Sequence, residues 1–181
     1  MLPEKHLRDL ESSAKKSKFL KELSLALLFF ASFVLFGPLI HEISHFIMLE
    51  LINCAYTFSF GFKLLNGFHA QVSPLCAISP GYLLGFYSIG YLNTLILGSG
   101  LNILGSMSKE KNYASHLVSI GTGLLLSVTL TIGIEGDIQN ALEVMNLSQS
   151  YGGLIALIVI LGVLSASVHG IKSLIELERK E

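Results

Sequence analysis

The chain has no tryptophan, only two cysteines and two aspartates, and little charge of either sign. Charged residues fill 14% of its 181 positions, where a soluble domain carries about 25%. That deficit argues against a soluble globular protein. Two cysteines exclude a disulfide-rich scaffold. Twelve basic residues against thirteen acidic ones leave a net charge of −1, so nothing supplies the basic surface that nucleic acid requires. The opening segment, MLPEKHLRDLESSAKKSKFLKE, mixes both signs of charge, and no small-residue cleavage site follows the next apolar run. It reads as a polar tail rather than a signal peptide.

In place of charge there is apolar sequence, 51% of the chain. Four uncharged or nearly uncharged runs stand out: about Leu23–Ile52, Ala77–Leu104, His116–Ile134 and Tyr151–Ile175. Each is close to or beyond the ~20 residues of a membrane-spanning helix. The expected architecture is therefore an all-α integral membrane protein of about four transmembrane helices, with the bilayer as its partner. The first run is long for one span. Gly37-Pro38 predicts a bend within it, because proline removes a backbone donor and crowds the preceding turn. Two separate elements, Phe19–Phe36 and Leu39–Ile52, are the alternative. Basic residues favour the cytosolic side. With four spans, eleven of the twelve fall on one side: six in the N-terminal tail, Lys109 and Lys111 in the second connection, and Lys172, Arg179 and Lys180 at the end. This predicts a multi-pass protein with cytosolic N- and C-termini, in which 1–20 is a polar tail, 21–175 one membrane-embedded domain and 176–181 a short C-terminal tail.

The first connection is patterned. AYTFSFGF alternates aromatic and small residues as a strand does, LNG supplies a turn, and FHAQVS returns. A short β-hairpin is expected between the first and second spans, on the outer side. Cys54 and Cys76 flank it and can pair if that side is oxidising; free thiols are the alternative. Asn146-Leu-Ser148 is a glycosylation sequon on the same side. Gly81 and Gly85 in the second span, with Gly121 and Gly123 in the third, suit close helix packing, and Asn93 and Asn102 suit hydrogen bonds between helices. His116 and His169 fall near the cytosolic ends.

Inside the first span the sequence reads HEISH. His41 and His45 lie four residues apart, on one helical face, where two imidazoles can bind one Zn²⁺. Glu42 stands beside the first ligand, where it can act as general base towards water at the metal. A carboxylate in a membrane helix costs about 2.5–3.5 kcal/mol at mid-span, so such residues normally face inward and serve a function. A catalytic zinc needs a third protein ligand. Asp9 is in the polar tail, which leaves Asp137, at the outer end of the third span. Loop charges place that end on the same side of the membrane as the His41–His45 turn. Glu135 and, from the hairpin, His69 are the competing ligands.

HEISH in an apolar helix, followed by an Asp near a later span, resembles the site-2 protease family of intramembrane zinc metalloproteases. The resemblance implies a compact member in which 21–175 is the metalloprotease domain, the first and third spans carry the centre, and the fourth is an addition. It implies His41, His45 and Asp137 as ligands of one zinc per chain and Glu42 as catalytic base. It also implies hydrolysis of a peptide bond in or near a transmembrane segment of a membrane-protein substrate. Asn140, near Asp137, is a candidate to hold the oxyanion or the substrate backbone. The pattern departs from the family's Leu-Asp-Gly-Gly-like setting, since Asp137 stands in Glu-Gly-Asp-Ile. Other readings of the same residues are a divalent-metal transporter, a non-catalytic scaffold for transmembrane segments, and a protease with Glu135 as ligand.

Overall fold

The computed structural model describes residues 4–63, 67–134, 137–148 and 150–179. The chain is mostly helical, with one two-stranded antiparallel sheet. Helix α1, Glu4–Ala31, runs through a π-helical turn at Ser32–Phe36 into α2, Gly37–Leu51. The first apolar run is thus one continuous helix, and its helical part begins within the polar tail. Pro38 accounts for the π turn. Its ring has no N–H and collides with the carbonyl four residues back, and a wider turn relieves both problems. The neighbouring Gly37 N–H reaches five residues back, to the Ser32 carbonyl.

Helix α2 stops at Asn53, whose φ of 52° lies in the left-handed region that asparagine tolerates. The Cys54 N–H then bonds the Leu49 carbonyl at 2.9 Å, and both side chains join one apolar cluster with Val72 and Phe86. Strands β1, Tyr56–Lys63, and β2, Gly67–Pro74, follow, with Phe58 opposite Val72. This is the expected hairpin; its turn at 64–66 lies outside the described residues. A Cys54–Cys76 disulfide closes its base.

Helix α3, Pro80–Met107, packs lengthwise on α4, Lys111–Ile134. Helix α5, Asp137–Val144, is short, and α6 covers Ser150–Arg179. The α5 helix is a departure: Asp137 opens a separate helix rather than ending the third span. An acidic side chain in a first turn suits the helix dipole, and fully buried Leu142 anchors the other end. Helix α4 lies at the centre, against α1, α2, α3 and α6. It approaches α2 so closely that a Cβ on Gly37 would overlap the Ser127 side chain.

Among the described residues, two helical stretches are long and apolar enough to cross a membrane, Lys15–Leu51 and Tyr151–Ser173, where four were expected. Helices α3 and α4, of 28 and 24 residues, match a span in length. Polar residues on these two helices sit between helices: Thr94, Asn102, Thr122 and Ser127 are all buried. The Asn102 amide donates to the Ala166 carbonyl at 3.4 Å, joining α3 to α6.

Candidate metal centre

Helix α2 is inside out relative to a soluble helix. Its buried residues are Gly37, Pro38, His41, Glu42, Ser44, His45 and Leu49, and Phe36, Ile43, Ile47 and Leu51 are exposed. The four-residue spacing of Gly37, His41, His45 and Leu49 forms the inward stripe. Apart from exposed Glu50, the helix therefore hides its polar groups, while Ile43, Ile47 and Leu51 are displayed.

The α5 helix brings Asp137 to this stripe. The His41 and His45 Nε2 atoms are 3.0 Å apart, and Asp137 Oδ2 lies 3.2 Å from the first and 3.1 Å from the second. These atoms form a nearly equilateral triangle. A vertex of about 60° prevents one N–H from pointing at both partners, so the cluster is poorly served by hydrogen bonds alone. It suits a cation. His41, His45 and Asp137 are the residues that would hold such an ion. Two imidazoles and a carboxylate are also a donor set that zinc accepts. Burial alone would raise the Asp137 carboxyl, but hydrogen bonds and attraction from the two histidines outweigh it and hold the group below its ordinary value.

Glu42 completes the cluster. One atom from each of His41, Glu42 and His45 falls within 4.8 Å of the others. Its Oε2 accepts the Val72 N–H at 2.6 Å, so strand β2 fixes the carboxylate. Pair Leu75–Ala55 is bonded across the hairpin, which by alternation turns the Val72 backbone groups away from β1 and towards α2.

Helix α3 forms the wall behind the imidazoles. The Tyr91 ring meets His41 edge-on, with centroids 4.6 Å apart, and Phe86 lies 4.6 Å from His45. A Cβ on Gly90, between them, would overlap the His41 ring. The Asn93 amide donates to Ser44 Oγ at 2.9 Å, and Ser44 donates to the Ile40 carbonyl, so α3 is also bonded to the metal-site helix. Among the described residues the His45 Nδ1 is buried with no hydrogen-bond partner, where a ligand histidine usually has an acceptor.

The structure thus brings together His41, Glu42, His45 and Asp137. Asn140 lies one turn further along α5, half-buried, and among the described residues no hydrogen bond joins it to the cluster. Glu135 lies outside the described residues, as does the side chain of His69. Val72, Gly90 and Asn93 are supporting residues. Sequence reasoning placed Asn93 in helix contacts but missed the other two, because a backbone N–H leaves no mark in a sequence and α3 holds several glycines. Gly81, singled out by its spacing with Gly85, meets open space instead. Comparison with protein-family models, characterised proteins and solved structures finds no match to this chain.

Proposed function

We propose that the protein is an intramembrane zinc metalloprotease of the site-2 protease type, hydrolysing a peptide bond in or near a substrate's transmembrane segment. The convergence of His41, His45 and Asp137, with Glu42 alongside, is the observation that carries this reading. These three ligands would hold one Zn²⁺, which when bound polarises a carbonyl and lowers the pKa of water to about 7.

The chain's own groups supply the rest. Glu42 takes a proton from water as the water oxygen bonds to the carbonyl carbon. It then delivers that proton to the amide nitrogen as the C–N bond breaks. The Val72 N–H bond to Glu42 Oε2 holds the carboxylate in place for this proton transfer. Asn140, half-buried on α5, would serve the oxyanion. The hairpin offers backbone groups to an extended substrate segment.

The inside-out α2, and the exposed apolar faces of the two span-length stretches, favour placement in a bilayer. In this reading α3 and α4 are further spans whose polar residues face protein, which restores the four-span topology with cytosolic termini. The Cys54–Cys76 bridge then falls on the outer side, where disulfides persist.

Glu42→Gln is the direct test. Glutamine keeps an oxygen to accept from Val72 but cannot carry the proton. Peptide cleavage should vanish while bound zinc stays at the wild-type level. Cleavage by the variant would refute the assignment. Zinc flux into liposomes, or binding of transmembrane peptides without cutting, would instead support the transporter or scaffold.

A further inference from the structure

We propose that the groove between α1, α4 and α6 binds an anionic phospholipid, with an acyl chain along the groove and the phosphate at Lys15, Lys18 and Lys111; this rests on the placement of the protein in a bilayer. The groove has a volume of about 550 Å³. Val118 and Thr122, 2% and 5% exposed, form its floor, and Leu27 and Phe30, each 60% exposed, its open rim. No charged residue lines it, and the Thr122 hydroxyl already donates to Asn102 Oδ1. The walls therefore suit a hydrocarbon chain.

Charge at one end of the groove identifies the head group. Helices α1 and α4 run side by side in the same direction: Gly123 abuts Phe29 and Ser32, and Gly37 abuts Ser127. Lys18 lies seven and eleven residues before the lining residues Leu25 and Phe29, and Lys111 lies seven and eleven before Val118 and Thr122. Both spacings return to one helical face, so the two lysines flank the same mouth from two helices. Lys15, eleven residues before Ala26, adds a third. Glu22 is the acidic group on this side of α1. It pairs with Lys18 at 3.9 Å on an exposed surface, where such pairs are weak, so the mouth keeps its positive charge. Lysines just outside an apolar span attract anionic lipid head groups. Lengths agree as well. From Lys18 to Phe30 is about 18 Å of helix, close to the roughly 15 Å of hydrocarbon in one leaflet. Phe30 stops about 16 Å short of His41 along the same helix, which keeps this groove apart from the metal centre and its substrate.

The test uses the full-length protein, stripped of lipid in neutral detergent and given equal amounts of phosphatidylglycerol and phosphatidylcholine with identical acyl chains. Native mass spectrometry reads what stays bound. Wild type should retain one phosphatidylglycerol per chain in preference to phosphatidylcholine. Lys15→Ala/Lys18→Ala should lower that preference at least about tenfold, at roughly fivefold for each lysine. Lys16→Ala/Lys21→Ala removes the same charge from the other sides of α1 and should leave the preference in place. Ser119→Phe, which fills the groove from α4, should lower retention of both lipids; Ala26→Phe, filling it from α1, decides the matter if Ser119→Phe does not fold. Equal loss in the two lysine pairs would show a general basic collar and overturn the site. Full lipid retention in a folded groove-filling variant would overturn it too, as would displacement of the lipid by inorganic phosphate alone. A dimer that the groove-filling variants break would give the groove to a second copy and also overturn the proposal. If the wild type is soluble without detergent and does not enter phosphatidylcholine nanodiscs, the bilayer placement itself fails. Entry into nanodiscs with no head-group preference overturns the lipid site alone.

Discussion

Gly90 shows what single residues contribute to this centre. It makes no hydrogen bond to the ligands, yet a side chain there would occupy the space of the His41 ring. Gly90→Val should displace His41 and cut zinc affinity by ten- to a hundredfold, the usual effect of disturbing groups that orient a ligand. Gly81→Ala, in open space on the same helix, should leave zinc binding unchanged. Competition with a metallochromic chelator checks both. The ligands must be deprotonated to bind, so zinc occupancy should fall as the solution is acidified. At this scale the sequence was informative about chemistry. HEISH pointed to His41, Glu42 and His45, which lie together as a cluster that could hold a metal ion, and Asp137 stood out because the chain has only one other aspartate. The supporting contacts, Val72 to Glu42 and Gly90 to His41, join residues far apart in the chain and have no local pattern.

Among the elements, the hairpin and α2 depend on each other. Strand β2 holds Glu42 through Val72, and the Cys54–Cys76 bridge ties the hairpin's base to the end of α2. Removing a bridge that spans 22 residues should cost about 3 kcal/mol on the chain-entropy account. Cys54→Ser/Cys76→Ser should therefore melt earlier in detergent. Cleavage should weaken more than zinc binding does, since the ligands lie on α2 and α5 and only the base is held by β2. Equal loss of zinc and cleavage would show that β2 does not position Glu42 separately. The hairpin was legible because strand alternation is a local signal. The α5 helix was not: eight residues give too little periodicity, and its place is set by burial of Leu142 and by Asp137 meeting the histidines. Pro38 announced a bend, but whether a bend becomes a break or a π turn depends on the packing of Gly37 against Ser127.

At the scale of the molecule, an unusual share of polar side chains is buried among the described residues, and many large apolar ones are exposed. Histidine, glutamate, serine and asparagine are buried, while leucine, isoleucine and phenylalanine are exposed along the outer faces. Composition made the membrane legible, and loop charge suggested an orientation. Four spans were expected from composition, and among the described residues two stretches have the length and hydropathy of a span. In cells, a membrane-impermeant maleimide should label Asn146→Cys from outside and Lys109→Cys only after permeabilisation. The reverse pattern would invert the proposed topology.

The central claim is that one metal joins α2 to α5. Bound zinc per chain, measured on purified wild type, His41→Ala and Asp137→Ala, tests it most directly. The account predicts about one zinc in wild type and clear loss in both variants. Full zinc retention by Asp137→Ala would contradict the ligand set, and a folded wild type that binds no zinc would contradict the metal centre itself.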